Sequence, residues 1–222
     1  LSLSTLEDTT LSTNVLTEIG INSGAISVVL KSSPLLGTMT LSSDGALSFT
    51  PPFQYSGTQS FEVEFLYKTK SLGVKTISLT TISVNDSPVA ANTSITLLED
   101  AVSASGSMSA TDIDSTTLTY SITRQGSKGS VVITDASTGA FEYIPFPNAN
   151  GADSFSFKVS DGNTDSNEGE VSVSITPVND APTASDFTVN ASESVLKSFT
   201  LNGFDVDGDS LTYSISSNVS HG

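Results

Sequence analysis

The chain contains no cysteine and no tryptophan, and its single histidine, His221, lies one residue from the C-terminus. Without cysteine there is no disulfide framework, no thiolate metal site and no thiol nucleophile. Without an internal imidazole, acid–base mechanisms built on histidine are excluded. Basic residues are scarce too. Only 8 Lys and Arg stand against 24 Asp and Glu, for a net charge of −16 over 222 residues. Such a chain repels phosphate, which excludes nucleic acid as a partner, and it disfavours an anionic membrane surface. No apolar run approaches the roughly 20 residues of a membrane span, so no direct membrane insertion is expected. Leu1–Thr10 has neither the basic nor the apolar segment of a signal peptide. The sequence also stops in mid-pattern, as a piece of something longer would.

What is present points to folded, all-β structure. Charged residues are 14% and hydrophobic residues 36%, a charge density below that of disordered acidic chains. Apolar residues alternate with Ser and Thr, and the length suits more than one domain. Zero cysteine with abundant Ser, Thr, Gly and Asp fits a bacterial extracellular protein.

An internal repeat organises the chain. Val84-Asn85-Asp86-Ser87-Pro88 returns as Val178-Asn179-Asp180-Ala181-Pro182. Independent anchors share one spacing of 94 residues (85 to 179, 45 to 139, 60 to 154). The Glu-Asp pairs at 7–8 and 99–100, and the Asp-x-Asp triplets at 112–114 and 205–207, fall within two residues of that spacing. In the second unit, Ser94–Leu98, Ser103–Ala110, Leu118–Ile122, Val131–Thr134, Phe141–Ile144, Phe155–Val159 and Val171–Ile175 read as seven short strands. No segment sustains a 3.6-residue apolar period. Seven strands in a unit of this size predict a Greek-key β-sandwich of immunoglobulin-like architecture, lacking the Cys and Trp marks of true immunoglobulin domains. The linkers, Asn85–Pro88 and Asn179–Pro182, are short, and their prolines restrict them to extended backbone. The expected units are 1–86, 87–180 and an incomplete third at 181–222, with about three strands.

With strands A to G alternating in direction, the A–B and E–F loops share one end of a unit with the outgoing linker. The B–C and F–G loops share the other end. Acids then gather at two expected joints. The first takes Glu7, Asp8, Asn85, Asp86, Asp112, Asp114 and Asp161. The second takes Glu99, Asp100, Asn179, Asp180, Asp205, Asp207 and Asp209, with Asp153 from the E–F loop. So many carboxylates repel unless a cation screens them. Calcium suits the arrangement, because it takes 6–8 hard oxygen ligands in adaptable geometry, whereas magnesium requires a strict octahedron. In extended backbone the two acids of Asp112-Ile113-Asp114 point the same way while Ile113 points the other. Assigned to the joints, these residues leave 11 acids against 8 bases elsewhere in the chain. Unit one departs from the pattern. Gly20-Ile21-Asn22-Ser23 and Tyr67-Lys68-Thr69-Lys70 stand where unit two has its acids, so no calcium site is expected at its N-terminal end.

Glu-Asp near the unit start, Asp-x-Asp after strand B, Asp-Gly after strand F and Asn-Asp-x-Pro as linker together resemble the cadherin-like tandem repeats of large bacterial surface proteins and adhesins. The resemblance covers essentially the whole chain. It implies that Glu7, Glu99, Asp86, Asp180, Asp112, Asp114, Asp205, Asp207 and Asp161 are interdomain calcium ligands. It also implies Ca2+-rigidified extracellular rods serving adhesion or biofilm formation, whose partners are neighbouring repeats and, in some members, polysaccharide or another cell-surface protein. Strand exchange through an inserted Trp cannot occur in a chain without one.

Other readings are weaker. Asp205–Asp209 hints at an EF-hand, but the required Gly and Glu positions are Ser210 and Ser216. Paired carboxylates can hydrolyse glycosides, yet here they cluster at joints, and there is no Gly-x-Ser-x-Gly elbow, so an enzyme is not expected. The alternative function is a carbohydrate- or partner-binding module. Of the five tyrosines, Tyr55 in the E–F loop of unit one is the candidate for sugar contact.

Overall fold

The computed structural model describes residues 1–22 and 24–217; Ser23 and His221 lie outside the described residues. The chain divides into two compact units, Leu1–Asp86 and Ser87–Gly222.

Unit 1 is a seven-stranded sandwich. Its strands are β1 (Ser2–Leu6), β2 (Leu11–Asn14), β3 (Ile26–Ser32), β4 (Thr38–Leu41), β5 (Ala46–Thr50), β6 (Gly57–Tyr67) and β7 (Lys70–Ile82). One sheet runs β1-β7-β6-β3 and the other β2-β5-β4. All pairings are antiparallel except β1 with β7, which is parallel. The alternation in Phe61, Val63 and Phe65 sends those side chains inward, where they meet Phe49, Ile77 and Leu79 in the core. One element departs from the expected all-strand reading. A single helical turn, α1 (Val15–Glu18), follows β2. Asn14 caps it by accepting hydrogen bonds from the backbone N–H groups of Leu16 (3.0 Å) and Thr17 (3.2 Å). Val15 and Leu16 are buried and join the core of unit 1.

Unit 2 holds β8 (Val89–Ala91), β9 (Thr93–Leu98), β10 (Ala104–Ser107), β11 (Ser109–Thr111), β12 (Thr119–Arg124), β13 (Gly129–Asp135), β14 (Ala140–Pro145), β15 (Gly151–Ser160) and β16 (Gly169–Thr176). The main sheet is β12-β15-β16-β9, faced by β10-β14-β13. Each expected strand of this unit is present. The first is preceded by a short additional strand, β8, and the second is split into β10 and β11, so that β8 pairs β11 while β9 pairs β16 in parallel. The core is aromatic: Phe141, Tyr143, Phe155 and Phe157 are fully buried, with Phe141 edge-on to Phe155 at 5.0 Å. Glycine is required at one close approach. A Cβ on Gly129 would lie 2.4 Å from the Tyr143 ring and 2.6 Å from the Ile144 carbonyl oxygen.

Beyond β16 the described residues contain one short strand pair, β17 (Thr183–Ala184) with β18 (Gly203–Phe204), rather than three strands. Phe187 and Phe199 touch edge-on at 5.6 Å, but Leu196, Phe204 and Ile215 stay exposed. This segment has too few strands to enclose a core.

Candidate metal centre

The C-terminal end of each sandwich is built the same way. In unit 2, β9 ends beside β16, and the Glu99 N–H donates to the Thr176 carbonyl at 2.9 Å. Asp100 then takes a left-handed φ of 59°, which turns the chain into the next loop. Glu99 is buried, 3% exposed. Its Oε1 accepts from the Val178 N–H at 2.5 Å and its Oε2 from Asn150 Nδ2 at 3.0 Å. The first of these bonds holds the chain leaving β16 against the end of β9. Asn179 Nδ2 folds back onto the Asp180 carbonyl at 2.8 Å.

Unit 1 repeats the arrangement. The Glu7 N–H donates to the Ile82 carbonyl at 2.9 Å, and Asp8 has φ 55°. Glu7 Oε1 accepts from the Val84 N–H at 2.6 Å and from Ser83 Oγ at 3.2 Å. Asn85 Nδ2 donates to the Asp86 carbonyl at 2.7 Å. The second acid of each pair fastens the β5–β6 or β14–β15 loop. Asp8 accepts from the Gln54 backbone N–H and Nε2 (3.2 and 3.3 Å), and Asp100 from the Asn148 N–H (3.2 Å).

The Asp-x-Asp segments are also alike. Asp112 Oδ1 accepts from the N–H groups of Asp114 (2.8 Å) and Ser115 (2.6 Å). Asp205 Oδ1 accepts from those of Asp207 (3.0 Å) and Asp209 (3.2 Å). In each, one carboxylate oxygen shapes the loop. Asp161 also shapes a turn, accepting from the N–H groups of Asn163 and Thr164 at 2.7 Å each.

Within unit 2, carboxylate oxygens of Glu99, Asp180 and Asp207 lie within 4.8 Å of one another. They come from three segments: the end of β9, the stretch after β16, and the loop after β18. The Asp180 N–H donates to Asp207 Oδ2 at 2.7 Å. Among the described residues, none of the three makes a salt bridge to Lys or Arg. Desolvation raises the Asp180 carboxyl above its ordinary range, and the charges of Asp100, Asp207, Glu99 and Asp205 push it further the same way. The buried Oδ2 of Asp180 has no hydrogen-bond donor, and neither does the buried Oδ2 of Asp112. Oxygen-only donors, mutual repulsion and orphaned oxygens together fit a hard divalent cation.

Asp153 is placed elsewhere. It lies in β15, not in the loop before it, and all four of its bonds go to residues 127, 128 and 143. Oδ1 accepts from the Ser127 N–H (2.9 Å) and Oγ (2.8 Å). Oδ2 accepts from the Lys128 N–H (2.9 Å) and the Tyr143 hydroxyl (2.5 Å). Burial by itself would raise the Asp153 carboxyl. The Tyr143 hydroxyl and the Lys128 and Ser127 donors reverse this and hold it well below the usual range. Asp209 contributes its backbone N–H to Asp205. Tyr55 is half-buried, and its hydroxyl would lie 3.0 Å from a Cβ on Gly57; the exposed ring of that loop is Phe53, 79% exposed. Asn150, which braces Glu99, was not among the expected site residues. Its signal was only its position in the loop opposite Glu99.

The fold and its repeated acidic ends define a class, the tandem cadherin-type β-sandwich. Repeats EC21-23 of human CDH23 superpose with a TM-score of 0.59 at 13% identity, covering 93% of this chain and 77% of that one. Repeats EC22-24 of mouse cadherin-23 give 0.57 at 18% identity, covering 83% and 66%. Repeats EC1-2 of human mucin-like protocadherin give 0.51 at 12%, covering 80% and 96%. Residues 85–177 match the family of bacterial cadherin-like domains, and residues 1–70 match bacterial Ig domains. Residues 85–177 are thus assigned to a bacterial cadherin-like domain and residues 1–70 to a bacterial Ig domain, within a chain whose fold is that of cadherin-like repeats. No curated protein matches it. Domains of these families are structural and adhesion modules typical of extracellular surface proteins. No described helix is long and apolar enough to cross a membrane.

Proposed function

We propose that the chain is a calcium-rigidified extender segment of a bacterial cell-surface adhesin, built from repeats 1–86, 87–180 and the start of a third at 181–222. One observation carries this reading: three carboxylates from separate segments of unit 2 converge within 4.8 Å, beside an orphaned Asp180 oxygen. Glu99, Asp180 and Asp207 would hold the ion, with Asp100 and Asp205 flanking it. Bound calcium would cancel the repulsion among these groups. By the repeat, Glu7 and Asp86 are the counterparts of Glu99 and Asp180, and Asp112 and Asp114 those of Asp205 and Asp207. The proposal extends to them, with Asp161 beside them. Calcium is favoured over magnesium because the donors sit on loops of differing geometry, which a flexible coordination sphere accommodates.

The chain's own residues do the mechanical work. Glu7 ties the chain leaving β7 to the end of β1, Glu99 ties the chain leaving β16 to the end of β9, and the Asn side chains fold the following segment onto itself. An ion added to that frame restrains residues that are otherwise held apart by charge. Calcium titration of the full chain tests the reading, followed by melting and small-angle scattering. Binding to the folded state alone adds RT ln(1 + [L]/Kd), about 2.7 kcal/mol at 100-fold excess over Kd. The Tm should rise with calcium, return with EDTA, and be accompanied by a narrower distribution of chain dimensions. Equal melting and scattering in calcium and EDTA would sink the proposal.

A further inference from the structure

Unit 1 carries a surface that the calcium reading does not use. At its N-terminal end, Leu1, Ile19, Ile21, Phe65, Leu72 and Lys75 line a mostly apolar groove of about 520 Å3. Ile19 is 40% and Leu72 57% exposed. Lys75 is the lysine in its lining, and the same hairpin carries Lys68 in the β6–β7 turn and Lys70 at the start of β7, two residues before Leu72. With Lys75 these are three of the eight basic residues of a chain whose net charge is −16. None of the three makes an ion pair among the described residues, and Lys68 lies over the Tyr67 ring, 5.8 Å from its centroid. An apolar slot with one unpaired lysine in its lining and two more on the same hairpin selects an aliphatic side chain next to a carboxylate.

The chain also presents that complement. In unit 2 the loop between β9 and β10 projects Val102, 91% exposed, with Leu98 at 56% and the exposed carboxylate of Asp100 between them. Unit 1 has threonine at the matching position, Thr10, so this apolar tip is particular to unit 2.

We propose that the apolar groove of unit 1, with Lys75 in its lining, is a docking surface for a second copy of this chain, which seats the Leu98–Val102 segment of its unit 2 in it. The contact is heterologous, so a pair leaves one groove on one copy and one loop on the other free, and association runs head to tail rather than closing on a pair. It is small beside the roughly 1,200–2,000 Å2 of a stable interface, so it is weak and belongs to crowded surfaces. Its lysines make it sensitive to salt.

Sedimentation velocity on the full chain tests this, at concentrations up to about 1 mM and in EDTA, so that failure leaves the calcium reading untouched. The wild-type mass average should grow with concentration and fall back in high salt. Val102→Ser, at a site with no packing to lose, and the triple variant Lys68→Glu, Lys70→Glu, Leu72→Ser should each be monomeric. Mixed together, the two variants should form a one-to-one pair and nothing larger, because only one intact groove and one intact loop remain. Circular dichroism and melting confirm that both variants fold. A wild-type chain that stays monomeric overturns the proposal, as does self-association that survives in either folded variant or a mixture that does not pair.

Discussion

Asp153 provides the sharpest test of how this structure uses its acids. Its two oxygens hold the backbone donors of Ser127 and Lys128, the Ser127 hydroxyl and the buried Tyr143 hydroxyl. Asp153→Asn keeps the shape and changes the chemistry. Each oxygen position faces a backbone N–H, so the new amide NH2 must confront one of them in either orientation. Leaving one backbone donor unsatisfied costs about 1–3 kcal/mol, and the remaining bonds lose their charge assistance. The carboxylate is partly open to water, which replaces some of what is lost, so the expected cost is about 2–3 kcal/mol. Tyr143→Phe leaves the ring in place and removes a single donor, at about 1–2 kcal/mol. The double variant should fall short of additivity by about 1 kcal/mol, because the two groups share one bond. Urea unfolding of the full chain, read on the transition of unit 2, gives all three values in EDTA and again in calcium.

The acid limb adds an independent check. The Asp153 carboxyl is held below its ordinary value in the folded state. Its contribution is therefore complete above the unfolded aspartate range, near pH 4, and is lost as pH falls below that. Asp153→Asn should flatten that part of the pH profile. A loss below about 0.5 kcal/mol, or one that appears only with calcium present, would refute the structural role and return Asp153 to the list of ligands.

Two further outcomes are expected at the acidic end of unit 2. Glu99→Gln keeps an acceptor for the Val178 N–H but removes a charge from the cluster; it should remove most of the calcium-dependent rise in Tm while leaving the melting temperature in EDTA unchanged or higher. In EDTA, stability should fall as pH rises from the ordinary aspartate range, because Asp180 binds its proton more tightly folded than unfolded. Calcium should abolish that slope, and a slope unchanged by calcium would place the ion elsewhere.

The strands were legible because their sequence pattern and their burial have the same physical origin. Phe155, Phe157 and Val159 alternate with polar or half-exposed neighbours, and the three are fully buried. Helix α1 was not legible, since four residues are too few to display a 3.6-residue period. Its only signal was an Asn cap before two apolar residues, Val15-Leu16. The role of Asp153 was hidden for a different reason. Its donors lie 25 and 26 residues away at Lys128 and Ser127, and nothing local in the sequence pairs them. Residue 153 stands next to a loop expected at the acidic end but belongs to β15, half-buried among its donors.

The acids of the Asp-x-Asp segments show why sequence left two readings side by side. Aspartate is favoured in loops because its side chain accepts from backbone N–H groups one turn on. A turn-forming aspartate and a metal ligand therefore have the same appearance in sequence. In this structure the two oxygens of one such carboxylate have different surroundings. Oδ1 of Asp112 takes two backbone N–H groups and sets the loop, while its buried Oδ2 is left without a donor. The loop geometry is thus what fixes the direction of the second oxygen. Asp112→Asn separates the parts. With its carbonyl oxygen toward the two N–H groups, the loop persists and the position of Oδ2 carries an NH2 group, which cannot ligate a cation. The expected result is near-wild-type stability in EDTA and a reduced response to calcium. Loss of stability in EDTA comparable to removal of a helix cap, about 1 kcal/mol or more, would mean that the carboxylate serves the turn alone.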